Sequence, residues 1–250
     1  MKKIVKNPLI ILAVGLIIVA ASSVGATRAA ITYSNEAQEM DFSTARLSVD
    51  IQEKQGDAYV SVSGKNGLTF PGIAEEMKTN DEDKSNDKPF TIGKKYPEEV
   101  QVVNTSTGDY QEYVRVMVRR SWTDASGTTK DTFLDPELIS LGVVEGDWLE
   151  DTKEATAEGK AYYLKKPLGQ GETAQFLESI SINNKLITYV KTVDGKEAGT
   201  VINEYKYDDK RFFVELRVDA VQQHNAKDAI LGAWGVNVTL DGSGNITAIN

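Results

Sequence analysis

Long runs in which apolar and polar residues alternate set the first limit on this chain. In YVRVMVRRSW (113–122), Val114, Val116 and Val118 share one face, and Arg115, Met117 and Arg119 share the other. RFFVELRVDAV (211–221) puts Phe212, Val214, Leu216 and Val218 together. A period of two is the pleat of a half-buried strand, and a helix scatters such residues around its whole circumference. The pattern recurs in ARLSVDIQ (45–52), with Leu47, Val49 and Ile51 aligned, and in EEVQVVN (98–104), with Val100 and Val102 inward. AYYLKK (161–166), TAQFLESISI (173–182) and GVNVTL (235–240) continue it, the last aligning Val236, Val238 and Leu240. Polar, turn-forming stretches at 104–109, 124–131 and 241–245 separate the runs, and Asp194-Gly195 reads as a hairpin signal. Seven or more strands joined this way predict an all-β fold, a jelly-roll-like antiparallel β-sandwich.

Helix is confined to two short stretches. DPELISL (135–141) has Asp135 as cap and Pro136 at the first helical position. NAKDAILGAW (225–234) has Asn225 as cap, with Ala226, Ala229, Ile230 and Ala233 at helical spacing. Residues 74–89, AEEMKTNDEDKSNDKP, are charged and nearly free of large apolar groups, which predicts an acidic surface loop.

The first 37 residues carry a different signal. Lys2, Lys3 and Lys6 precede an uncharged apolar block from Pro8 to Ala21, and small residues follow through Ala29 and Ala30. A basic start, an apolar middle and a small-residue exit describe a signal peptide over 1–29. The expected cut lies between Ala29 and Ala30, with Thr27 as the small residue three positions back. The competing reading is an uncleaved anchor, since 8–27 is close to the roughly 20 residues that span a bilayer. Cleavage leaves 30–250 as a single β-sandwich domain, secreted to the cell surface or extracellular matrix. It removes four of the 28 basic residues (Lys2, Lys3, Lys6, Arg28) and none of the 37 acidic ones, for a net charge of −13. Such a surface repels nucleic acid and anionic lipid, so membrane contact is expected only through an uncleaved signal. There is no cysteine, which excludes disulfides and thiolate chemistry and leaves the hydrophobic core to hold the domain.

Catalytic chemistry finds little purchase. His224 is the only histidine, no serine sits in a G-x-S-x-G context, and H-E-x-x-H is absent. His224 is read as a strand-to-helix junction residue. PLGQGET (167–173) lacks the full spacing of a phosphate loop and reads as a turn. Asp81, Asp83, Ser85 and Asp87 begin like a calcium loop, yet the central glycine is missing and Ile92 stands where Glu is needed. No catalytic residue, metal ligand or cofactor is assigned.

Several segments in order resemble the TasA/camelysin family of exported matrix proteins, whose signal peptides are cut by a SipW-type peptidase. They are GATRAAITYSNEA at the expected cut, MDFSTARLSVDI, YVRVMVRRSW, AYYLKKPLGQGETAQFLESISI and VDAVQQHNAKDAILGAWGV. The likeness covers most of the processed chain. It implies a secreted jelly roll that forms or decorates biofilm-matrix fibres, with itself and other matrix proteins as partners. It also implies donor-strand exchange through an N-terminal assembly segment, here 30–44. In AITYSNEAQEM (30–40), Ile31 and Tyr33 alternate with Thr32 and Ser34, as an inserted strand requires. Some members are described as metallopeptidases; with the zinc motif absent and a single histidine, a camelysin-like metallopeptidase is the least favoured alternative for this sequence. The stretches 74–89 and 186–207, the latter an inserted hairpin, look like additions to the family pattern. The alternative reading is a monomeric adhesin or binding module of the same fold.

Overall fold

The computed structural model describes residues 47–65, 67–78, 89–194 and 201–250. Its chain runs through β1 (Val49–Gln55), β2 (Ala58–Ser61), α1 (Pro71–Met77), β3 (Tyr96–Asn104), β4 (Glu112–Thr123) and β5 (Lys130–Asp131). A 3-10 turn (Pro136–Leu138) leads into β6 (Ile139–Val143), β7 (Trp148–Glu150), β8 (Gly159–Leu164) and β9 (Thr173–Ile182). A second 3-10 turn (Asn184–Thr188) precedes β10 (Val190–Asp194), β11 (Val201–Tyr205) and β12 (Arg211–Gln222). Helix α2 (Ala226–Trp234) and the strands β13 (Val238–Leu240) and β14 (Ile246–Ile249) follow.

These strands build an antiparallel sandwich. One sheet has the order β2-β1-β3-β9-β6, and the other has β12-β4-β8-β7 with β5 paired to the end of β4. The chain changes sheet between β3 and β4, β5 and β6, β6 and β7, β8 and β9, and again between β9 and β12, as a jelly roll does. The alternating valines explain the packing. Val100 and Val102 of β3 face Val114, Val116 and Val118 of β4 in one buried cluster that also holds Ile51, Phe176 and Ile180. Each such side chain contributes about 1.5–3 kcal/mol by leaving water. Phe176 and Leu177 are neighbours and both fully buried, because pairing slips register on either side of Leu177. A bulge lets consecutive residues turn inward where strict alternation would expose one.

A second cluster lies on the opposite face of the β12-β4-β8-β7 sheet. There α2 and the β13–β14 hairpin cover Tyr113, Tyr163 and Val221 with Ile230, Trp234, Val236 and Ile246. Arg115, on that outer face, pairs with Asp219 at 2.8 Å and lies 5.1 Å from the Trp234 ring centre.

The sequence expectations need correction at several places. DPELISL is not a helix. Asp135 does cap, accepting from the Glu137 N–H, but only Pro136–Leu138 turn and Ile139–Val143 become β6. The reason is that Ile139 pairs with Ile182 and is wholly buried against the sheet. Asn225 precedes α2 with φ 52° and makes no side-chain cap hydrogen bond, so it serves through its left-handed backbone. Residues 74–77, assigned to an acidic loop, are the last part of α1, while 79–88 lie outside the described residues. The 190–205 hairpin does form, closing at Asp194 opposite Val201.

Candidate assembly edge

Edge strands decide whether a sandwich stays alone, because each carries unpaired N–H and C=O groups. Three of the four edges here are short or covered. β2 has four residues and β7 has three. β6 has five, and the Ile139 carbonyl on its open side accepts from Arg120 Nη1 at 2.8 Å. Arg120 is itself an inward-pointing cation, 7% exposed, whose Nη2 donates to the Ala157 carbonyl.

β12 is different. It pairs with β4 without interruption from Arg211 opposite Thr123 to Gln222 opposite Glu112. On its other side, one main-chain hydrogen bond is found among the described residues, from Leu68 N–H to the Val214 carbonyl at 2.8 Å. Gly67 permits that contact, since a Cβ there would strike the Phe213 ring and the Val214 oxygen. Antiparallel alternation fixes the rest. The main chain of Val214 points away from β4, so Leu216, Val218 and Ala220 also present their N–H and C=O groups outward. Their side chains face the core side, with Leu216 buried and Val218 half-buried. Among the described residues, β12 is therefore an open edge with an apolar inner face.

Ser48, just before β1, is tied in at the Gln222 end of this edge. Ser48 N–H donates to Ser106 Oγ at 2.9 Å, and Ser106 Oγ donates to Glu112 Oε2 at 2.9 Å. Asn104 ties in the neighbouring loops, donating from Nδ2 to the Leu168 carbonyl at 2.8 Å and accepting from Ser106 N–H. Glu112 Oε1 is buried without a partner among the described residues, and burial pushes its carboxyl up to about 7.

A second buried carboxyl site stands at the far end of β1. Glu53 accepts from Thr69 N–H at 2.7 Å, Thr69 Oγ1 at 2.6 Å and Phe70 N–H at 3.0 Å, which fastens the start of α1. Beside it Glu98 is 2% exposed, and neither oxygen finds a donor among the described residues. Burial first, and the Glu53 carboxylate second, push Glu98 up to about 9. At neutral pH Glu98 is therefore a neutral acid whose O–H is available to its neighbour.

Ala29, Ala30, Ile31 and Tyr33 lie outside the described residues, as do Asp81, Asp83, Ser85 and Asp87. His224 lies in the turn between β12 and α2, exposed. No cluster of three or more potential metal ligands occurs among the described residues, and none of their helices is long and apolar enough to cross a membrane. Sequence reasoning missed the buried Glu53, Glu98, Glu112 and Arg120. Glu98 did stand in phase with Val100 and Val102, and Arg120 with Val118 and Trp122. Comparison with family models, curated proteins and solved structures finds no match for this chain.

Proposed function

We propose that this chain is a secreted structural subunit that forms or decorates extracellular fibres by strand addition. The segment 30–40 of one copy pairs with the β12 edge of the next, and Ile31 and Tyr33 point between the sheets. The open, apolar-backed edge of β12 carries this reading, because an added strand satisfies its main-chain groups while alternate side chains bury inward. Chain direction adds support. For a subunit's own 30–40 segment to lie on its own β12, it would travel toward Gln222 before entering β1 at Ser48, and would pair parallel. A segment from a neighbour is free to pair antiparallel, the more stable arrangement. Removal of 1–29 by a signal peptidase releases the donor end, so processing between Ala29 and Ala30 switches assembly on. Resemblance to exported matrix proteins points the same way.

Electron microscopy of protein beginning at Ala30 tests the proposal. Fibres are expected, and deletion of 30–40 abolishes them. Val218→Pro separates edge from segment: its N–H faces outward, so the β4 ladder survives while a donor strand loses its partner. A folded Val218→Pro protein that still forms normal fibres would show that β12 is not the acceptor. Monomers at every salt concentration from the protein beginning at Ala30 would favour an adhesin instead.

A further inference from the structure

Where β12 gives way to α2, the surface holds an open polar cleft of about 710 Å³. Two short stretches line it, one before β4 and one after β12, and Leu240 and Gly244 complete it. Its walls are fixed by hydrogen bonds to main chain. Gln223 N–H donates to the Gln111 carbonyl at 3.0 Å, and Asn104 Nδ2 donates to the Tyr110 carbonyl at 3.2 Å. Tyr113 is buried, and its hydroxyl donates to the Gly244 carbonyl at 2.6 Å. The volume falls within the range of small-molecule sites, roughly 300–1,000 Å³.

The side chains in this cleft are uncommitted, which sets it apart from the rest of the surface. Gln52, Gln55, Gln101 and Gln175 all hydrogen-bond within the fold. Of the four other described glutamines, three line this cleft: Gln111, Gln222 and Gln223. Their side chains make no hydrogen bond among the described residues. Asn225 repeats the pattern. It stands before α2, where an asparagine side chain ordinarily caps, yet it takes φ 52° and caps nothing. Its amide is left free beside the other three. Charge then restricts the ligand. No lysine or arginine is among the described residues that line the cleft, and Asp109 is, which disfavours an anion. No cluster of three or more potential metal ligands occurs among the described residues. What remains is a group of amides, each able both to donate and to accept, beside Tyr110, which is 47% exposed. A sugar hydroxyl also donates and accepts, and the C–H face of a pyranose ring is apolar. Amides and an exposed aromatic ring are complementary to that combination.

We propose that this cleft binds an uncharged oligosaccharide, with one ring against Tyr110 and its hydroxyls on the amides of Gln111, Gln222, Gln223 and Asn225. The inference uses side chains rather than the main-chain groups of strand addition, and it stands whether or not fibres form. Chains of neutral hexose and chains of N-acetylhexosamine share this chemistry.

Isothermal titration calorimetry of the full chain tests the proposal. The probes are maltohexaose, cellohexaose, mannohexaose and chitohexaose, with hexagalacturonate as the acidic control. Saturable binding of at least one neutral chain is expected, with hexagalacturonate weaker by about tenfold or more. Preference for chitohexaose would assign an N-acetylhexosamine ligand, and preference for any of the others a hexose ligand. Tyr110→Ala is expected to weaken the best probe by about tenfold, and Gln111→Ala and Gln223→Ala by about fivefold each, the worth of one neutral hydrogen bond. Lys227→Ala, at an exposed position of α2 outside the cleft, should leave affinity unchanged. Thermal unfolding checks that each variant is folded, and exposed Gln111 keeps the test open if Tyr110→Ala is not. The site is overturned if none of the four neutral probes binds at millimolar concentration or if hexagalacturonate binds as tightly as the best of them. Undiminished affinity in the folded variants would overturn it equally.

Discussion

Glu98 shows how one residue can set the pH response of the fold. Its carboxyl is raised from 4.5 to about 9, so the folded chain keeps a proton that the unfolded chain releases. Below pH 4.5 both states are protonated and Glu98 adds no pH-dependent cost. From there to about pH 9, stability falls by up to about 1.4 kcal/mol per pH unit, and above pH 9 the loss is complete. Glu98→Gln keeps the shape without the proton. Its urea midpoint should match the parent at pH 4.5 and exceed it increasingly toward pH 9; parallel curves would exclude a buried neutral acid. Glu112, raised to about 7, acts in the same direction over the narrower window from 4.5 to 7. Arg120 is the opposite case, a charge made tolerable by two carbonyl acceptors. Arg120→Ala would leave the buried Ile139 carbonyl bare and is expected to cost about 2–3 kcal/mol in chemical denaturation.

At the scale of elements, α1 is the piece that tertiary contacts create. Seven residues are too few for a stable isolated helix. The helix persists because Glu53 holds Thr69 and Phe70, and because Gly72 lies directly against the Pro97 carbonyl, where a Cβ would collide. Gly72→Ala should therefore loosen this element first. Amide exchange across 71–77 is expected to accelerate while exchange in β4 stays near the parent rate, a contrast that mass spectrometry resolves. Helix α2 differs in kind, since its apolar side packs on Tyr113, Tyr163 and Val221. Trp234→Ala would uncover that face and leave Arg115 without its ring, an expected loss of about 3–5 kcal/mol.

For the whole molecule, charge and edge act against each other. In the proposed assembly, removal of 1–29 would leave a net charge of −13 that holds copies apart, whereas β12 would offer a strand-long surface for joining. Screening should decide between them. The Debye length shrinks from about 30 Å at 0.01 M salt to about 8 Å at 0.15 M. Fibre growth by the protein beginning at Ala30 is accordingly expected to be faster at 0.15 M than at 0.01 M, as followed by light scattering. A rate independent of salt would mean that mutual repulsion does not limit assembly.

The sequence alone determined the strands, because Val114, Val116 and Val118, or Val214 and Leu216, repeat with a period that only a pleated chain satisfies. It also located the polar turns at 124–131 and 241–245, where local side-chain and backbone hydrogen bonds suffice to close the chain. Tertiary structure decided what alternation cannot express. Burial of Glu53, Glu98, Glu112 and Arg120 depends on which distant groups meet them. Ile139–Val143 became a strand because β9 was there to pair with it, against the local helix signal of Asp135 and Pro136. The order of strands left β12 at the edge, and no pattern within RFFVELRVDAV distinguishes an edge strand from a central one. Period is a property of neighbours along the chain, whereas burial, pairing and exposure are properties of neighbours in space.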